Sequence, residues 1–389
     1  MQLNNYKILF IFRTIKILLN LFLDSFFVLY FITLSNNNIL PFGLYKLVSI
    51  TVLYLTIFLL RNKCKAKNRV NLLRIGLLIY LLYFILILLL KEKIVDYMYL
   101  IGIIYGIQEG FYFSVFNILE SDSISNNERA RYNGDCRTLS NILSIIFPIT
   151  LGGIITLSNY SISFICIIIM LLFLFILSLK IKNNNISNIQ KVNIKEFIKI
   201  VKKNKALQNI YNSNIFSGLT YSSGAFLSII TIYIIKVCNN SMSLGIYTSV
   251  IAFIVAIVAF LFGRFIKKKS YIKIIYITVL ISILSLIVLM FKCNMLTIIL
   301  FSLFSKISWE FLYLINLTSQ GNLTNINEIK DNYKVEFYQV FELSLFIGRF
   351  ISFCLFILMA IIPVNYILPV FIVFLLLYMI TSVKIQKNM

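Results

Sequence analysis

The chain has 389 residues, is 60% hydrophobic and only 13% charged, and carries a formal charge of +22 with no histidine. This is too apolar for a soluble protein of two or three domains. Without histidine, any proton chemistry falls to carboxylates.

Apolar runs near the ~20 residues needed to cross hydrocarbon fall at 13–34, 41–60, 71–90, 94–119, 134–157, 160–180, 209–236, 243–264, 271–291, 294–318, 336–361 and 364–383. None alternates in polarity as a barrel strand does, so the expected fold is an all-α, polytopic membrane protein of twelve transmembrane helices. Lys7, Arg13 and Lys16 lie before and at the start of the first run, but no small-residue cleavage site follows, so it reads as a first span and not as a leader. Asn20 and Asp24 lie one turn apart near its centre. Between spans two and three the chain reads RNKCKAKNR (61–69).

Span four contains YGIQEGFYFSV (105–115). Gly102, Gly106 and Gly110 form a stripe that admits a neighbouring helix, and Glu109 lies beside it with Tyr112 three residues on. A carboxylate at this depth costs about 2.5–3.5 kcal/mol on insertion scales and marks a pathway by default. It serves either as a proton or substrate site or as a structural group bonded to a neighbouring helix. Glu120, Asp122, Glu128, Arg129, Arg131, Asp135 and Arg137 ring the turn into span five, where solvated surface charge is the default reading. Span five ends FPITLGG (147–153).

The longest polar stretch, 180–208, separates six spans from six. It gives an N-terminal bundle over 1–180, a linker over 181–208 and a C-terminal bundle over 209–389. In the linker Phe197, Ile198 and Val201 fall near one helical face and Lys195, Lys199, Lys202 and Lys203 on or beside the other, which predicts a helix lying on the membrane surface. Span seven carries the polar run NSNIFSGLTYSSG (212–224), and GRFIKKK (263–269) follows span eight. Span ten holds Lys306 and Glu310 one turn apart, suited to a salt bridge, with Trp309 and Tyr313 beside them. Span eleven holds Glu342 and Arg349 on one face but about 10 Å apart along the axis, so each is expected to find its main partner elsewhere. By this assignment the deep ionisable groups are Asp24, Glu109, Lys306, Glu310, Glu342 and Arg349, and all the rest, Lys16 among them, can reach water or the interface.

Lys46, Lys91, Lys93, Lys236 and Lys292 fall on one side and Lys306 and Arg349 within spans. All other basic residues fall on the side of the N-terminus. This positive-inside bias places both termini in the cytoplasm and accounts for the net charge without nucleic acid. The six cysteines lack close spacing, so neither a disulfide framework nor a metal site is expected.

The two halves echo one another. Glu109-x-x-Tyr112 matches Glu310-x-x-Tyr313, Arg131-Tyr132 matches Phe337-Tyr338, and FLLRNKCKAKNRVNLL (58–73) matches FLFGRFIKKKSYIKII (260–275). Twelve spans in two six-span repeats joined by a basic loop resemble the major facilitator superfamily of secondary transporters. Residues 61–69 keep the basic character of that family's loop but lack its glycine and aspartate. FPITLGG is similar to its antiporter motif, which implies a lean to export. The E-x6-R of span eleven resembles a bacterial subgroup.

The resemblance implies a cavity lined by spans one, four, seven and ten. Asp24, Glu109 and Glu310 would surround it, with Asn20, Tyr112, Tyr221 and Tyr313 as further lining and Glu342 and Arg349 as substrate or coupling groups. It implies a monomeric, cofactor-free transporter of a small solute in the cell membrane, with coupling to protons as the hypothesis and no catalytic residues. The rival reading is a lipid-linked sugar flippase or a membrane enzyme of envelope-polysaccharide synthesis. The outer loops are too short for a polymerase. No phosphate-binding G-x-x-x-x-G-K-[ST] pattern occurs, so ATP is not the direct drive.

Overall fold

In hydrocarbon every backbone N–H and C=O must be satisfied within its own segment, which makes the apolar runs helices. The computed structural model describes residues 5–65, 69–124, 126–181, 192–222, 224–238, 240–265, 270–324 and 333–387. The helices are α1 (Asn5–Asp24), α2 (Phe26–Leu34), α3 (Leu40–Leu60), α4 (Arg69–Leu90), α5 (Met98–Ser123), α6 (Asn126–Leu157), α7 (Tyr160–Ser178), α8 (Ile194–Lys203), α9 (Lys205–Leu219), α10 (Ala225–Val237), α11 (Ser241–Phe265), α12 (Tyr271–Phe291), α13 (Met295–Thr324), α14 (Lys334–Leu358) and α15 (Val364–Lys387). Among the described residues ten helical segments are long and apolar enough to span. The other two expected spans are α5, diluted by Gln108, Glu109 and its glycines, and the interrupted pair α9–α10.

Asparagine places several of the turns. Asn159 accepts from the Ile162 amide (3.1 Å), Asn193 from that of Glu196 (3.2 Å) and Asn204 from that of Ala206 (2.9 Å). Asn240 and Asn294 do the same at the starts of α11 and α13. Each fills a donor that a helix start leaves open, typically about 1 kcal/mol.

The chain forms two units. One comprises Met1–Val192 with Asn240–Ser249, the other Asn193–Asn239 with Val250–Met389. In the first, α5 packs against both α3 and α4, and α1 packs along α6. The glycine stripe makes the α3–α5 approach possible. A Cβ on Gly106 would stand 2.8 Å from Val52 Cβ, and one on Gly110 would stand 2.5 Å from Thr56 Cβ. The C-terminal end of α6 meets the start of α11 in the same manner, with Gly152 against the Ser241 backbone and Gly245 against the Pro148 carbonyl. FPITLGG is therefore a packing element in this unit. In the second unit α9 packs against α14 and α15, and α12 lies between α13 and α15. Outward side chains such as Leu89 (71% exposed) and Phe291 (89%) are the surface offered to lipid.

The structure changes the reading of the linker helix. Phe197 of α8 is fully buried in a cluster with Leu207, Ile210, Tyr211, Phe337 and Ile385 of the second unit, against which Val201 also packs, while Ile198 points outward. The apolar face expected to lie in lipid is docked on protein instead. The reason is that α9, α14 and α15 end at a common level and leave an apolar seat for it.

Cys64, between α3 and α4, is buried, and burial pushes its thiol up to about 11. The thiolate is the reactive form. At mildly alkaline pH, iodoacetamide followed by peptide mass mapping is expected to modify exposed Cys293 and spare Cys64, which reacts only as the pH approaches 11. A second check concerns the stripe. Gly106→Leu should lower stability in detergent by about 1–3 kcal/mol through overpacking. Gly134→Leu, where nothing lies within 4 Å, should not.

Candidate functional site

Glu109 is turned into the interior of the first unit, with 5% exposure. Its Oε1 accepts from Lys16 Nζ of α1, and from Gln108 Nε2 at 2.6 Å. Lys16, 6% exposed, also lies 4.8 Å from the Tyr80 ring centroid and 5.0 Å from that of Tyr112. The ammonium thus has one carboxylate and two aromatic faces as its answer to desolvation. Lys16, Gly76, Tyr80, Gln108 and Tyr112 border a small cavity. The buried Tyr80 hydroxyl has no hydrogen-bond partner among the described residues.

Two further ion pairs close the same unit near the C-terminal end of α5. Arg13 Nη1 lies 3.2 Å from Glu120, which also accepts from the Tyr132 hydroxyl at 2.7 Å. Burial and the Glu120 charge hold the Tyr132 phenol well above its usual range, so it stays a donor. Arg69 Nη1 lies 2.6 Å from Asp122. Glu120 and Asp122 are therefore paired, not simply solvated as expected. The side chains of Glu128, Arg129 and Arg131 lie outside the described set.

Asp24 also departs from expectation. It ends α1, where Ser25 interrupts the first span, and its side chain is 55% exposed, 3.9 Å from Lys46 Nζ. Asn20 is half-buried one turn earlier. The equivalent span of the second unit is broken as well, between Leu219 and Ala225. There α14 supplies what the helix lacks. Arg349 Nε donates to the Ser222 carbonyl at 2.8 Å, and Ser352 Oγ accepts from the Ala225 amide and donates to the Leu219 carbonyl, both at 2.9 Å. Gly348 and Gly218 let the helices approach closely enough for this. Both units thus interrupt their first long apolar segment.

Arg349 and Glu342 come closer than the axial rise alone suggests, with Nη1 and Oε2 3.8 Å apart, while the hydrogen bond of Arg349 goes to Ser222. Side chains on a helix lean toward its N-terminus, so Arg349 reaches back over two turns to Glu342. Tyr221 is also corrected. It is fully buried, its hydroxyl 3.0 Å from Ser282 Oγ and its ring 5.7 Å from that of Trp309, so it is interior packing. Glu310 is 2% exposed on α13, with Lys306 half-buried a turn before it and the half-buried Tyr313 ring 5.3 Å from Trp309.

Residues 65–327 match the Major Facilitator Superfamily. The chain belongs to that superfamily. It is a multi-pass membrane transporter and not an enzyme. Among curated relatives, the Bacillus subtilis uncharacterized protein YqgE is 23% identical over 344 residues, 87% of this chain and 79% of the relative. A Geobacillus stearothermophilus protein encoded in the sodM 3′ region is 27% identical over 134 residues, 34% of this chain and 63% of the relative. Two solved superfamily structures share the fold at a TM-score of 0.61. One is a bacterial homolog of the human lysosomal transporter Spinster, inward-facing and unoccupied (12% identity, 98% of this chain and 97% of that one). The other is the human organic anion transporter MFSD10 (TETRAN) (11% identity, 97% and 98%).

Within this superfamily member the structure joins Glu109 and Tyr112 around a residue the sequence reading missed. Lys16 was grouped with the N-terminal basic residues because hydropathy starts the first span at 13. Helix α1 begins at Asn5, which carries Lys16 three turns in. No spacing in the sequence announces these pairs, since Arg13 and Lys16 lie about 4.5 Å apart along their helix and Glu109 and Glu120 about 16.5 Å apart along theirs.

Replacing Arg349 by Met removes the donor to the Ser222 carbonyl and the guanidinium 3.8 Å from Glu342. A loss of about 3–5 kcal/mol is expected in detergent unfolding, partly recovered in Arg349→Met/Glu342→Gln.

Proposed function

We propose that this superfamily member is a proton-coupled secondary transporter in which the Lys16–Glu109 pair is the coupling element. The observation that carries the reading is a single carboxylate, buried in one unit, whose charged partners among the described residues reduce to one lysine. A proton arriving on Glu109 cancels the pair and frees an ammonium held between two tyrosine rings. The two states then differ by a full ionic interaction in low dielectric, enough to bias a conformational equilibrium. Alternating access would proceed by movement about the interrupted spans, α1–α2 and α9–α10.

The positive-inside pattern supports cytoplasmic termini in the cell membrane. The likeness of FPITLGG to an antiporter motif supports export. Asp24 and Glu310 remain candidate lining groups of the solute path, and the reading is of a monomer. Arg349 is better explained as the clamp on the Ser222 carbonyl than as a substrate anion site.

Infrared difference spectra of the purified protein across a pH titration are expected to contain a carboxylic-acid band that is absent from Glu109→Gln. In proteoliposomes carrying an internal pH dye, a panel of candidate solutes should give solute-dependent proton movement with the wild type and none with Glu109→Gln or Lys16→Met. The double variant Lys16→Met/Glu109→Leu serves as a folded, uncoupled control, since apolar replacement of a buried pair is tolerated. Proton movement retained by Glu109→Gln would refute the assignment.

A further inference from the structure

The basic face of α8 has no role in the transport reading. An amphipathic helix at a membrane normally lays its apolar face in lipid and its lysines in the headgroups. Here the apolar face is occupied by protein. Phe197 is fully buried, its ring 5.8 Å from that of Tyr333 and 6.5 Å from that of Phe337, and Ile385 of α15 closes the same cluster. The helix is fixed at both ends. The Asn193 amide donates to the buried Glu336 carboxylate at 3.0 Å, and Gln208 Nε2 donates to the Lys202 carbonyl at 2.5 Å.

What remains outward is Lys195, Lys199, Lys202 and Lys203, all exposed, continued by exposed Lys205 at the start of α9 and by Lys384 and Lys387 at the end of α15. The one exposed acid on α8 is Glu196, engaged by Asn193 Nδ2 at 2.9 Å. These lysines sit where the spans α9, α14 and α15 end, so their long stems can reach the polar layer of the bilayer. Charges that only set topology need no fixed geometry, whereas these are mounted on a docked helix.

The geometry points to a binding surface for anionic phospholipid headgroups on the leaflet that this end of the second unit faces. Its occupant is the lipid surface itself, selected by charge complementarity with a rigid array of ammonium groups. Because α8 is docked on the first turns of α9 and α14, headgroup binding stabilises the same spans that carry the α9–α10 interruption. The inference does not depend on proton coupling.

The test uses the full chain in detergent, titrated with phosphatidylglycerol or phosphatidylcholine while thermal unfolding is followed. Phosphatidylglycerol is expected to raise the melting temperature and phosphatidylcholine to leave it unchanged. Lys195→Gln/Lys199→Gln/Lys202→Gln/Lys203→Gln should unfold like the wild type in phosphatidylcholine yet need at least about tenfold more phosphatidylglycerol for the same shift. The quadruple Lys→Arg variant should respond as the wild type does, which separates loss of charge from loss of fold. Equal shifts from the two lipids, or an undiminished response in the quadruple Gln variant, would overturn the proposal. So would the same stabilisation by free glycerol phosphate, which would mark a soluble-anion site instead.

Discussion

A charge carried into hydrocarbon has to be answered from within the protein, because no water is there to do it. The first unit obeys this rule at Glu109, where an ammonium and an amide converge on one carboxylate and two aromatic rings face the ammonium. The second obeys it at Arg349, whose guanidinium serves both Glu342 and a backbone carbonyl left open by a broken helix. The surrounding architecture follows from these demands. Glycines bring α3 against α5 and α9 against α14, and only at such separations can short polar groups bridge between helices.

The two solutions differ in what they leave adjustable. At Arg349 the cation is permanent, and its partners include the peptide backbone, so the arrangement is a fastening. At Glu109 one member can accept a proton and the other cannot replace it with a second anion from the described surroundings. A cavity beside Lys16 and a tyrosine hydroxyl without a partner among the described residues leave room for rearrangement there. On the proposed reading, this contrast, more than depth alone, separates the coupling pair from the fastening one.

Much of the fold was legible because hydropathy and small-residue spacing act through short-range physics. The runs became helices, the Gly102–Gly106–Gly110 stripe became a helix contact, and asparagines cap helices at the turns. What failed depended on direction and depth. Lys16 was misread because the helix begins eight residues before the apolar run. Glu342 and Arg349 were judged by axial rise alone, without the lean of helical side chains. The face of α8 was correctly amphipathic, but periodicity cannot tell whether protein or lipid will cover it. Tyr221 lay in a polar run that suggested a lining position, and only the packing of Ser282 and Trp309 around it shows an interior one.

The pairing of Lys16 with Glu109 also has an electrical consequence. Two opposite charges in contact form a neutral object, on which a voltage across the bilayer exerts almost no net force. Once the acid is neutralised, a lone positive charge remains buried within the bundle. A membrane potential acts on such a charge with about 2.3 kcal/mol per 100 mV over the full thickness. Binding one proton at that position would therefore turn a voltage-indifferent helix bundle into one that the cell's own potential can pull on.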